Sequence, residues 1–148
     1  NELTEEAATV WRDRAAREHV ELQLEADEAV PVHTDPIRVR QIIDNLAENA
    51  LRVSPPQSVI VLAARVEGEW GVVEVRDSGP GLTEDDVREA FEPGVLHERY
   101  RGVRPVGTGL GLALVSRLAV GLGGAAEAGL ADEGGARFTV RLPLHVVS

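Results

Sequence analysis

At 148 residues the chain has the length of one domain, enough to bury a core without cross-links. With 25 acidic against 15 basic residues and a formal charge of −10, it is a poor match for a phosphate backbone, and no nucleic-acid partner is expected. The absence of cysteine excludes disulfides, thiolate metal sites and cysteine nucleophiles, and it fits a reducing cytosol.

A first helix is expected from Thr4, as N-cap, to about His19, with acidic residues in its first turn. Val20, Leu22 and Leu24 then alternate with Glu21, Gln23 and Glu25, the period of a strand with one wet face. Residues 26–34 are rich in turn formers, with room for a short strand at 30–32. Asp35-Pro36 opens a second helix over residues 35–53, since proline suits the first helical position. Its apolar face is formed by Val39, Ile42, Ile43, Leu46, Ala47 and Ala50. Ser54-Pro55-Pro56 ends it.

Residues 58–66 are apolar and β-branched and read as a buried strand; after a tight return at 68–71, residues 72–77 form its antiparallel partner. In that second strand Val73, Val75 and Asp77 share one face, so a carboxylate is aimed where apolar side chains go and requires a partner. Residues 83–91 predict a short helix capped by Thr83. Residues 92–106, with His97, Arg99, Arg101 and Arg104, lack periodicity and read as a lid-like loop. From Gly107 a glycine-rich start leads into a helix with Leu110, Leu114, Leu118 and Leu122 on one face, closed by Gly123-Gly124. Strands at 125–130 and 136–142 flank a turn at Gly134-Gly135. The order predicts a two-layer α/β sandwich over residues 1–148, with about three main helices on one face of a mixed, mostly antiparallel sheet of about five strands. The most apolar stretch, 107–126, carries Arg117 and many glycines and is a poor membrane span, so no membrane contact is expected of this domain.

Three features carry chemistry. On the polar side of the second helix Gln41, Asn45 and Asn49 recur every four residues, which stacks two carboxamides one turn apart. An amide offers a neutral oxygen to a hard cation and an amine to a phosphate. DSGPGL, residues 77–82, supplies an aspartate followed by two glycines; an ionised aspartate only accepts hydrogen bonds, so it suits the exocyclic amine of adenine and not the carbonyl of guanine. GTGLGL, residues 107–112, places alternate glycines where a helix start exposes amide protons to phosphate.

DNLAENA, DSGPGL, FEP and GTGLGL, in this order and with these gaps, resemble the N, G1, F and G2 boxes of the ATP-binding catalytic domain of sensor histidine kinases. The wider group includes gyrase, mismatch-repair ATPases and large ATP-dependent chaperones. The resemblance implies the Bergerat fold, with ATP and Mg²⁺ held between the second helix, the lid and the glycine-rich helix start. It makes Asn49 the Mg²⁺ ligand, with Asn45 supporting phosphate or metal and Arg52 near the phosphates. Asp77 would read the adenine amine, Gly79 and Gly81 would admit the ring, and Leu82 would pack near it. Gly107, Thr108, Gly109, Leu110, Gly111 and Leu112 would hold the β- and γ-phosphates.

In the hydrolysing relatives a glutamate four residues before the metal asparagine activates water; here Asn45 stands in that place and cannot act as a base. The resemblance therefore implies transfer of the γ-phosphoryl group to a delivered nucleophile, a histidine on a dimerisation and phosphoacceptor domain, with a response regulator as the next acceptor. None of His19, His33, His97 and His145 lies in a histidine-acidic dimerisation hairpin, so the acceptor is expected on a part of the parent protein outside this chain, which would be inactive alone. A cytoplasmic domain of a membrane-bound sensor is expected. Val53 stands where many members have an aromatic residue, and Gly94 replaces the second phenylalanine of the F box. Two alternatives stay open at this point: a serine kinase of the anti-sigma-factor type, and a nucleotide-binding regulatory module without transfer activity.

Overall fold

A computed structural model describes residues 2–26, 35–79, 81, 86, 91, 110–131 and 134–143. Helix α1 spans Glu2–Arg17, strand β1 Glu21–Ala26 and helix α2 Pro36–Val53. The hairpin of β2 (Val59–Glu67) and β3 (Trp70–Arg76) follows, then α3 (Leu110–Gly121), β4 (Ala125–Leu130) and β5 (Ala136–Pro143). The described strands form one sheet in the order β1-β2-β3-β5-β4. β1 and β2 are parallel because α2 carries the chain back between them, whereas the other three pairings are antiparallel. The predicted short helix at 83–91 and the lid-like loop at 92–106 lie outside the described residues, apart from Asp86 and Phe91, and so does the short strand at 30–32.

All three described helices cover one face of the sheet. Ile42, Ile43, Leu46 and Ala50 of α2 meet Ile60, Leu62, Val75, Phe138 and Val140 of the sheet, flanked by Trp11 of α1 and Val115 of α3. Each such large side chain contributes roughly 1.5–3 kcal/mol by leaving water, so this layer dominates the driving force for folding. The opposite sheet face carries no described helix and is tiled instead with arginines and glutamates: Arg65, Glu67, Glu74, Arg76, Arg137 and Arg141.

α2 begins as its sequence predicts. The Asp35 carboxylate accepts from the Ile37 amide at 2.9 Å, Pro36 occupies the first turn, and Ser54 closes the other end with its amide on Ala50 O. α1 differs from expectation. Thr4 does not cap it but lies buried within the first turn, because it continues the inward stripe of Ala7, Ala8, Trp11 and Ala15. The end of α1 is also unexpected: His19 takes a left-handed φ of 60°, with Val20 N bonded to Ala15 O and His19 N to Ala16 O. α3 ends by the same two bonds, Gly124 N to Ala119 O and Gly123 N to Val120 O, with glycine in the left-handed place. The buried side of α3 is Leu112, Val115 and Ala119, not the line from Leu110 to Leu122 that its leucines suggest; Leu114, Leu118 and Leu122 are only half-buried. In a helix apolar on every side, periodicity cannot choose the inward face.

Candidate functional site

The polar side of α2 connects two glycine-containing segments. Midway along it, Asn45 donates from Nδ2 to Gln41 O at 2.8 Å, which turns Oδ1 toward α3. There the approach is close: a Cβ placed on Gly111 would lie 3.0 Å from Asn45 Oδ1. Gly111 thus allows the first turn of α3 to sit against the carboxamide row. Leu110 opens α3, and the Leu112 side chain enters the core, so its contribution is to anchor that turn.

At the C-terminal end of α2 a second close approach occurs. A Cβ on Gly79 would lie 2.9 Å from both Val53 Cγ2 and Val53 O. The chain at Ser78 and Gly79 therefore crosses the end of α2, and it is tied down by Ser78 Oγ donating to Val59 O at 2.6 Å. The Val53 side chain lies against this glycine. Between the two crossings lie Asn49, half-buried, and Arg52, which pairs with Glu48 at 2.9 Å. An exposed pair of this kind is worth only about 0.3–0.5 kcal/mol, so Arg52 can be redirected to a ligand at little cost. From Asn45 to Val53 the helix rises about 12 Å, of the same order as an extended nucleoside triphosphate.

Asp77 lies on the helix side of the sheet, 1% exposed, as the strand alternation predicts. Its Oδ1 accepts from Gly79 N at 2.9 Å and Ala136 N at 3.0 Å. Gly81, with a φ of 79°, follows it; that left-handed geometry suits a residue without a side chain. Gly135 and Ala136 were not legible as site residues. Their signal in sequence, a paired glycine before a strand, indicates only a turn.

Two neighbouring carboxylates serve structure. Asp44 Oδ1 accepts from Trp11 Nε1 at 2.7 Å and Arg40 Nε at 2.9 Å, which fastens α1 to α2 on the flank away from Asn45, and the Arg14 guanidinium lies 4.3 Å over the Trp11 ring. Glu48 is engaged by Arg52.

Leu82, Gly107, Thr108 and Gly109 lie outside the described residues. Among the described residues no group of three histidines or carboxylates is arranged to hold a metal, and no helix is long and apolar enough to cross a membrane. A hard cation here would take one amide oxygen, that of Asn49, and complete its shell with phosphate oxygens and water, which is the habit of Mg²⁺.

Residues 34–146 match the family described as Histidine kinase-, DNA gyrase B-, and HSP90-like ATPase. The sensor protein TorS of Escherichia coli (strain K12) is 45% identical over 114 residues, covering 77% of this chain and 12% of TorS. Full-length ShkA in complex with AMPPNP has a TM-score of 0.79 at 30% identity, covering 95% of this chain and 29% of ShkA. The catalytic domain of histidine kinase ThkA, nucleotide-free, has a TM-score of 0.83 at 21% identity, covering 99% of this chain and 94% of that domain, and so shares the fold. The chain spans less than a third of the length of the curated relatives it matches, 12% of TorS and 29% of the sensor histidine kinase ZraS.

Proposed function

The chain belongs to the histidine kinase-, DNA gyrase B- and HSP90-like ATPase family, and from that membership we propose that it is the ATP-binding catalytic domain of a sensor histidine kinase. In this reading it binds Mg²⁺·ATP and delivers the γ-phosphoryl group to a histidine on the dimerisation domain of its parent protein. A response regulator then takes the group, on the cytosolic side. The observation that carries the reading is the polar row of α2, bounded by Gly111 and the first turn of α3 at one end and by Gly79 and Asp77 at the other.

Each residue has a physical task. Asp77 accepts from the adenine amine, and Gly79 and Gly81 let the ring approach the backbone, with Leu82 beside it. Asn45 holds the start of α3, so that Gly107, Thr108, Gly109, Leu110 and Gly111 present amide protons to the β- and γ-phosphates while Leu112 anchors them. Arg52 leaves Glu48 for a phosphate oxygen. Asn49 offers the amide oxygen for Mg²⁺, which when bound would offset the charge of the phosphates.

An amide at position 45 suits a histidine acceptor. A neutral imidazole attacks through a nitrogen lone pair that carries no proton, so forming the N–P bond while the β,γ-bridging P–O bond breaks needs no general base beside the phosphate. A water or serine nucleophile would need one. The task left to this domain is alignment and charge neutralisation, and the imidazole's other proton departs on the acceptor's side.

The test uses the chain with labelled ATP, Mg²⁺ and the parent protein's dimerisation domain. An acid-labile, alkali-stable phosphoprotein is expected. An acid-stable label on serine, or nucleotide binding with no transfer at all, overturns the proposal.

A further inference from the structure

The ladder between β3 and β5 ends on an irregular rung. It runs regularly from Trp70↔Pro143 to Arg76↔Arg137. At the next position Asp77 N donates to Ala136 O at 3.0 Å, as an antiparallel rung requires, but Ala136 N returns its bond to the Asp77 side chain, to Oδ1 at 3.0 Å. Gly79 N reaches the same oxygen at 2.9 Å. Two donors converging on one carboxylate oxygen fix the rotation of the group and therefore set where Oδ2 points.

The β4–β5 turn is built to make this possible. Gly134 takes a φ of 96°, and the bonds Gly134 N to Ala131 O (3.0 Å) and Ala131 N to Gly135 O (2.8 Å) close the turn. Gly135 lies so near that a Cβ there would collide with both the carbonyl oxygen and Oδ1 of Asp77. Gly134 O also lies 3.2 Å from where a Cβ on Gly81 would be. The turn thus abuts the two ends of the segment that meets the base, although it is more than fifty residues away in the chain.

We propose that the β4–β5 turn, through Gly135 and the Ala136 amide, is a positioning and specificity-determining element for purine recognition: it aims the Asp77 carboxylate at a 6-amino group. The proposal deepens the ATP-binding reading and rests on it. A turn that only closed the sheet would affect every nucleotide alike. One that aims a carboxylate affects only ligands bearing the amine, because aim matters to a directional hydrogen bond and not to stacking or phosphate contacts.

The experiment compares ATP with purine riboside triphosphate, which is ATP without its exocyclic amine, on the intact chain and on Ala136→Pro and Gly135→Ala. Proline is tolerated at the first residue of a strand, and at position 136 it removes the donor to Asp77 while leaving the carbonyl that Asp77 N uses. Dissociation constants come from calorimetry and the folded state from the thermal unfolding midpoint. The unmodified chain is expected to prefer ATP by about tenfold or more. In Ala136→Pro that preference should fall to about threefold or less, with affinity for the deaminated analogue changed by no more than about twofold. A folded variant that keeps the full preference overturns the proposal and leaves the ATP-binding reading intact. An unmodified chain that does not distinguish the two nucleotides overturns both. Should neither variant fold, the amide resonance of Ala136 in the unmodified chain decides: it should shift with ATP and not with the analogue, and equal shifts overturn the proposal.

Discussion

Glu74 and Asp77 lie three residues apart on and just beyond β3, on opposite faces of the sheet, and both are buried, at 5% and 1% exposure. They are held in different ways. Glu74 accepts from Arg76 Nη1 at 2.8 Å, Thr139 Oγ1 at 3.0 Å and Arg65 Nη2 at 3.3 Å, with Arg137 Nε at 3.9 Å. Burial pushes its carboxyl upward, but the hydrogen bonds from Arg76, Arg65 and Thr139 outweigh that and hold it below its ordinary range. The described donors to Asp77 are neutral backbone amides. The cations around Glu74 make it part of the scaffold, whereas the amides around Asp77 orient a carboxylate that, in the proposed reading, faces the ligand. In that reading the covered face of the sheet carries the chemistry, and the open face carries the electrostatic frame.

The sharpest way to break that comparison is Glu74→Ala. It removes the carboxylate that Arg65, Arg76 and Arg137 share, leaving Arg65 with Glu67 and Arg76 with Glu25, and stability should fall by about 3 kcal/mol in urea unfolding. ATP affinity should stay within about twofold, since nothing on the ligand face has moved. A comparable loss of affinity would mean the two faces are not independent. Asp77→Asn is the converse and a somewhat smaller effect. The new side chain keeps an oxygen for the Ala136 and Gly79 amides but offers an amine where an acceptor is needed; ATP affinity should drop by about thirtyfold, or about 2 kcal/mol, with the unfolding midpoint nearly unchanged. Retained affinity by calorimetry would remove Asp77 from the adenine site.

The contrast also marks where sequence reading stops. α2 was legible because everything that defines it is local: an aspartate cap, a proline in the first turn, apolar residues at helical spacing and a proline pair beyond the end. Asp77 was legible as an inward carboxylate from strand alternation alone. Glu74 was not, since its partners Arg65 and Thr139 come from two other strands and are set by pairing register. Gly135 and Ala136 escaped for the same reason. Thr4 and His19 show a different limit: tertiary burial drew a good capping residue into the helix, and a non-glycine residue took a left-handed turn that sequence would give to glycine. Of the expected ligand set, Asn45, Asn49 and Arg52 lie on α2, Gly111 approaches it at Asn45, midway along its length, and Gly79 meets its C-terminal end beside Asp77.

Acidification tests the hold of the arginines on Glu74 directly. The folded Glu74 carboxyl is held below the ordinary 4.5, so its ionised form contributes stability that is fully present above that value and is lost as pH falls through the folded value. Glu67, lowered by its hydrogen bond with Arg65, acts in the same direction. Urea midpoints taken from about pH 6 to about pH 3 should therefore decline more steeply for the unmodified chain than for Glu74→Gln, which has no proton to gain there. Parallel curves would show that the arginine frame does not draw its strength from the charge on Glu74.

The finest test is Thr139→Val. Thr139 is buried at the centre of β5, opposite Glu74, and its hydroxyl donates to the same Oε1 that Arg65 contacts. Valine matches its shape and suits a strand at least as well, so the substitution removes one donor and little else. Stability should fall by about 1 kcal/mol, and the acid-induced decline should be smaller and finish at slightly higher pH, because one of the bonds that favours the ionised carboxylate has gone. The two readouts must move together: a loss of stability with an unchanged acid profile would mean the cost is one of packing, and the hydroxyl would then have no part in holding the charge.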